Sequence, residues 1–331
     1  MKKILLKIFN RNNEKLLLIG IPCLAIFMAL FLLVPLLSLI FPSAPRLELD
    51  SRSDGQTILT DVSEIVEEIK PQTEEAPAEL TAEPIEPREE DRWTVEGEER
   101  FYLLPDGSKA TGLRYIDGKI YYFDENGRCA SSVGIDVSFY NSTVNWTAVK
   151  RAGVDFALIR IGGRGWGTGA LYKDKLYSTY LNAAKAAGLR VGVYFYSCAA
   201  NLREAREEAA VVLKLLNGVT LDFPVYIDME FSGDYPSGRA DSLSMAERTQ
   251  LAQAFCELIE KAGYEAGIYA NESFYTVNLK YEELEQYSIW LASYTEDNAL
   301  PDFSKRYDIW QISDRARLAG VSGTADLNVI F

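Results

Sequence analysis

The 331-residue chain contains no histidine. That absence excludes Ser-His-Asp and Cys-His catalysis, the HExxH zinc site and His-ligated haem. Its four cysteines include no CxxC pair, so a structural zinc site is excluded as well. There is no GxxxxGK[ST] phosphate loop. Acid–base chemistry therefore falls to carboxylates, with Tyr, Lys or Cys as lesser candidates. Basic residues are outnumbered, 34 Lys and Arg against 48 Asp and Glu, for a net charge of −14. Nucleic acid is a poor partner for such a chain, because phosphate binding needs a basic footprint.

The charge is unevenly spread. Residues 1–15 hold five bases against Glu14, and residues 16–41 hold no charge at all, which leaves residues 42–331 with a net charge of −18. The apolar run Leu16–Phe41 exceeds the ~20 residues needed to cross a bilayer core. Bases before it and acids after it predict a basic cytoplasmic tail (1–15), a single transmembrane signal anchor (16–41) and an extracytoplasmic remainder. A cleaved signal peptide is the competing reading. The run is longer than a typical h-region, however, and Pro42-Ser43-Ala44-Pro45 makes a poor cleavage site. Cys23 lies within this run. Cys129, Cys198 and Cys256 lie outside it, too few and too irregular for a disulfide framework.

Residues 42–92 hold six of the twelve prolines and fifteen acids, and they lack aromatic residues. Such a segment buries too little apolar surface to order itself, and reads as an extended, self-repelling linker. At Trp93 the composition changes. Phe101-Tyr102-Leu103 with Asp106-Gly107 is echoed twenty residues later by Tyr121-Tyr122-Phe123 with Asn126-Gly127. Aromatic strands followed by Asp-Gly or Asn-Gly predict a β-hairpin module over 93–132. The pair resembles the cell-wall-binding repeats of Gram-positive surface proteins. Two units are fewer than a free-standing array needs, so wall binding and packing against the next domain are both open.

From residue 133 onward strand-like and helix-like runs alternate. Strands are predicted at 134–139, 156–162, 190–197, 223–231, 265–271, 288–294, 307–312 and 325–330. Helices are predicted at 143–152, 173–187, 201–217 and 244–262, with a shorter piece within 273–286. Gly153, Gly188, Gly218 and Gly263 stand just past helix ends. The alternation predicts an α/β fold: a flattened parallel barrel of about eight strands with about five helices, its site at the C-terminal strand ends.

Candidate chemistry collects at those ends. In Tyr226-Ile227-Asp228-Met229-Glu230 the side chains alternate, so Tyr226, Asp228 and Glu230 share a face opposite Val225, Ile227, Met229 and Phe231. Two carboxylates ~6.6 Å apart along a strand suit glycoside hydrolysis, while a helix cap or an Arg pairing would be the structural explanation. Asp136 sits on the first strand. Asp326 and Asn328 share a face of the last strand, which lies beside the first if the barrel closes. Arg160 on the second strand needs a carboxylate partner. Tyr194, Tyr196, Tyr269, Trp290, Tyr294 and Trp310 with Gln311 form a candidate sugar-binding rim, with barrel filling as the alternative. The glycine-rich stretch at 162–169 lacks a following helix start and reads as a loop beside the site, not a dinucleotide site.

Taken in order, several motifs resemble glycoside hydrolase family 25, the lysozymes that act as N-acetylmuramidases. They are Gly134-Ile135-Asp136-Val137-Ser138, Asn145-Trp146, Ile159-Arg160, Gly192-Val193-Tyr194-Phe195, Tyr226-Ile227-Asp228-Met229-Glu230, Ile268-Tyr269, Trp290-Leu291-Ala292, Trp310-Gln311 and Asp326-Leu327-Asn328. The resemblance implies that Glu230 is the general acid and that Asp228 orients the substrate's N-acetyl group. It also implies that Asp136 and Asp326 complete the catalytic cluster, that no metal or cofactor is needed, and that peptidoglycan glycan strands are the partner. The family's common Gln-Gly pair is replaced here by Asn141-Ser142, and its common His after the third-strand Tyr by Phe195. The expectation is a membrane-anchored muramidase of a Gram-positive-type envelope. A non-catalytic wall-binding scaffold is the alternative. A chitinase-like hydrolase would want a longer D-x-x-D-x-D-x-E run than residues 221–230 supply.

Overall fold

The computed structural model describes residues 83–84, 92–233, 238–296 and 299–331. The expected basic tail and apolar run lie outside the described residues, as does nearly all of the linker. Among the described residues no helix is long and apolar enough to cross a membrane.

Two hairpins open the described chain. Strands β2 (Trp93–Glu96) and β3 (Glu99–Tyr102) pair antiparallel, as do β4 (Gly112–Ile116) and β5 (Lys119–Phe123). A two-residue strand, β1 (Glu83–Pro84), lies parallel to β4. The second hairpin turns on Asp117-Gly118, both at positive φ (53° and 74°), which a tight turn between right-twisted strands requires. The Asp-Gly and Asn-Gly pairs instead close the loops that follow each hairpin. Their hydrogen bonds repeat at an offset of twenty residues. Gly107 N donates to Leu104 O and Gly127 N to Asp124 O, each 2.9 Å; Ala110 N donates to Tyr102 O at 2.8 Å and Ala130 N to Tyr122 O at 2.9 Å.

Eight strands then close a barrel: β6 (Ser132–Val137), β7 (Phe156–Arg164), β9 (Arg190–Tyr196), β10 (Val225–Asp228), β11 (Ala266–Asn271), β12 (Ser288–Ala292), β13 (Ile309–Ala316) and β14 (Ala325–Ile330). Strand β8 (Leu171–Lys173) folds back on the end of β7, so the glycine-rich stretch is a hairpin. The crossovers carry α1 (Trp146–Arg151), α2 (Tyr177–Ala186), α3 (Leu202–Leu216), α4 (Met245–Lys261) and α5 (Glu272–Val277). Asn145, Asn201, Ser244 and Asn271 cap helix N-termini with their side chains. The expectation of a wholly parallel sheet is corrected at β14, which runs antiparallel to both β13 and β6. Residues 317–324 are too few for a helical crossover, which takes at least ~10–12 residues, so the chain can only double back.

The barrel's two faces separate as the alternation predicts. Val225, Ile227 and Met229 join the main core between sheet and helices, whereas Phe156, Leu158, Tyr194, Tyr226, Trp290 and Ile309 fill the interior below the mouth. The second hairpin belongs to the same main core. Leu113, Ile120 and Tyr122 are buried with it, Tyr122 meets Trp310 edge-on at 5.6 Å, and Ser131 N donates to Ile330 O at 2.6 Å. Packing is therefore continuous across residue 132.

Candidate active site

Three barrel strands bring the carboxylates together. Asp136 near the end of β6 lies directly opposite Asp326 at the start of β14. The antiparallel return is what makes this possible, since it carries the beginning of β14 to the C-terminal end of β6. Asp136 Oδ2 accepts from Gln311 Nε2 and Asn328 Nδ2, each at 2.8 Å. Asp136 also hydrogen-bonds Asp326. Burial raises both groups, and the Asp136 charge raises Asp326 further. Two carboxyls so placed resist ionising together, so the first charge on the pair disfavours the second.

Asp228 ends β10, and Glu230 follows two residues later on the same side. Asp228 is buried and its Oδ1 has no hydrogen-bond partner. Burial first, then the Glu230 charge, raises it far above the usual carboxylate range, against the pull of Arg160. Glu230 keeps an exposed surface, but the protein packed round its carboxyl strips away much of its water. Desolvation there pushes it up to about 7, opposed by Arg160 and reinforced by Asp136.

Arg160, on β7, faces this group. Its Nε donates to Asp174 Oδ2 at 3.0 Å, while its Nη2 has no partner. Asp174, 1% exposed, also accepts from Phe139 N at 3.0 Å and Leu176 N at 2.9 Å. It is a positioning residue absent from the sequence reading. The legible signal was an Asp just ahead of a helix, which announces a local backbone bond and not its buried Arg. Asn328 has a similar part: its Oδ1 accepts from Trp290 Nε1 at 2.7 Å while its amide holds Asp136.

The expected aromatic rim divides. Tyr294 is 53% exposed, and its OH, like that of Tyr269, donates to Gln311 Oε1, at 2.8 and 2.9 Å respectively. Tyr196 lies level with Asp228 in the sheet register and within the influence of both Asp228 and Glu230. Tyr194 is buried one step lower, edge-on to Trp290 at 5.6 Å. Trp290 is corrected from rim to filling: it lies below the mouth among Tyr194, Tyr226 and Tyr269. Trp310 is corrected more fully. It is 1% exposed on the outer face of β13, between Tyr122 and Phe331, with its Nε1 donating to Ser293 O at 2.7 Å. Strand alternation sends neighbours to opposite faces, so Gln311 reaches the site and Trp310 cannot. Buried Gln311 itself holds Asp136 and does not line the open rim.

Residues 135–321 match the family described as glycosyl hydrolases family 25. The chain belongs to glycosyl hydrolases family 25. Among curated members of similar sequence, the autolytic lysozyme of Clostridium acetobutylicum is 28% identical over 195 residues, 59% of this chain and 54% of that protein. Lysozyme M1 of Streptomyces globisporus is 28% identical over 203 residues, 59% of this chain and 66% of that one. The chain thus spans little more than half of the first relative's length. Among solved structures, the modular autolysin LytC from Streptococcus pneumoniae superposes with a TM-score of 0.58 at 21% identity, over 73% of this chain and 58% of that one. The bacterial lysozyme from Streptomyces coelicolor gives 0.50 at 25% identity, over 60% of this chain and 91% of that one. Both similarities show a shared fold over the barrel.

Proposed function

We propose that this family 25 protein is a peptidoglycan hydrolase, an N-acetylmuramidase that cleaves the β-1,4 bond between N-acetylmuramic acid and N-acetylglucosamine. The observation that carries the reading is the unmet polar chemistry at the mouth. A buried Asp228 oxygen and a buried Arg160 nitrogen both lack partners beside a carboxyl raised to about 7. Leaving such groups unsatisfied is costly unless a ligand completes them.

In the proposed reaction the Glu230 proton passes to the glycosidic oxygen as the bond to the anomeric carbon breaks. The substrate's 2-acetamido oxygen attacks that carbon from the opposite face, its amide oriented by Asp228. Water, deprotonated by Glu230, then opens the resulting ring and restores the configuration, a substrate-assisted variant of the two-carboxylate scheme. The single charge of the Asp136–Asp326 pair faces the positive charge that develops on the sugar. A carboxyl near 7 supplies a proton at neutral pH where an ordinary Glu would already be ionised.

Placement outside the membrane is part of the proposal. It rests on the uncharged run Leu16–Phe41 between a basic and an acidic flank. A tethered enzyme of this kind would act on its own cell's wall. The test is digestion of purified peptidoglycan by the chain and by Glu230→Gln. New reducing N-acetylmuramic acid, lost in the variant at unchanged fold, is the expected result. Reducing N-acetylglucosamine would overturn the bond assignment. Wall binding without products would favour a scaffold.

A further inference from the structure

The carboxylate chemistry leaves one exposed feature of the mouth without a task. Phe139 and Tyr140 directly follow β6, their ring centroids 4.1 Å apart, and Tyr140 is 57% exposed. Nothing about an exposed aromatic pair is self-supporting, yet this one is held from several sides. Ser138 and Asn141 cap the short turn reciprocally, and Phe139 N is fixed by Asp174. Behind the rings lies the Arg160 guanidinium, 4.9 Å from the Phe139 centroid and 5.1 Å from that of Tyr140. The Arg160 side chain is only 10% exposed, and its Nη2 has no partner.

An open aromatic face backed by a buried, unpaired donor suits a ligand with one apolar face and an oxygen at its edge. A pyranose ring has that form, since its axial C–H bonds make an apolar face and its substituents carry oxygens. Phe139 stands three residues beyond Asp136 at the same strand end, so the aromatic pair adjoins the carboxylates and does not form a separate surface. We propose that Phe139 and Tyr140 form a sugar-stacking subsite beside the carboxylate cluster, in which Arg160 Nη2 donates to an oxygen of the bound hexosamine. This rests on the glycan reading given above.

The test separates binding from hydrolysis, using the full chain and a tetrasaccharide of alternating N-acetylglucosamine and N-acetylmuramic acid. In a Glu230→Gln background, calorimetry should show Tyr140→Ala weakening binding about tenfold, with Tyr140→Phe within about twofold, as expected for loss of one ring contact with its backing. With Glu230 intact, Tyr140→Ala should raise KM by a similar factor and leave kcat within about twofold. Equal affinity of the Tyr140→Ala and parent proteins would overturn the subsite, as would a folded Glu230→Gln protein that binds no tetrasaccharide. Tyr140-dependent binding by a chain that never hydrolyses the glycan would uphold the subsite and overturn the hydrolase reading.

Discussion

Glu230 is raised first by burial and then by the Asp136 charge, while Arg160 pulls it down. In the proposed role it must be protonated, so kcat/KM should fall as pH rises through about 7. Removing the charge in Arg160→Gln removes the lowering influence, and the alkaline limb should therefore move to higher pH. A pH–rate profile of both proteins checks the sign; a limb that moves down, or stays in place, would contradict the arrangement. The carboxylates themselves were legible in sequence, because strand alternation alone puts Asp228 with Glu230 and barrel closure puts Asp326 beside Asp136. Their supports were less so. Asp174 reaches Arg160 from the far side of the β7–β8 hairpin, and no local pattern encodes that distance. Trp310 and Gln311 are adjacent in sequence and opposite in fate, and only the phase of β13 tells which faces inward.

At the scale of elements, the turn after β6 stores strain. Ser142 stands at φ 50°, ψ −65°, with Thr143 N bonded to Asn141 O at 2.6 Å, a three-residue turn of the disfavoured hand. Among the described residues, the other non-glycine residues at positive φ are Asp117 and Asn217, types that tolerate it. Ser142→Gly should relieve about 1 kcal/mol of strain, partly offset by glycine's freedom in the unfolded chain, for a net gain of about 0.5 kcal/mol in urea unfolding. The second hairpin is the stronger test. Tyr122→Ala would empty the space against Trp310 and Phe331, and a loss of about 3–5 kcal/mol is expected from the same measurement. Strand and helix placement was legible because caps, glycines and alternation agree with one another. The direction of β14 was not, since it depends on the length of one connection more than on any residue's preference. The hairpin turn at Asp117-Gly118 carried its usual signal but was overshadowed by the aromatic echo.

For the molecule as a whole, residues 42–331 carry a net charge of −18. If its substrate is a carboxylate-bearing wall, long-range repulsion should slow encounter at low salt. Raising ionic strength from about 0.01 M to about 0.15 M shortens the screening length from roughly 30 to roughly 8 Å. Initial rates on intact wall should rise over that interval, while those on an uncharged oligosaccharide stay level. A fall with salt would point instead to attraction by a local basic surface.

The core shared by the second hairpin and the barrel also bears on how such a protein can be recombined. Exchange of modules works where few contacts cross the cut. A breakpoint at 132 would leave the outer face of β13 and β14 bare and strand Tyr122 on the wrong fragment. A breakpoint just upstream of Trp93 would cut through an acidic stretch without aromatic residues, lose only the two-residue pairing of β1 with β4, and keep the shared interior whole. The unit that evolution or an engineer could transplant is therefore the hairpins together with the barrel, about forty residues longer than the hydrolase domain alone.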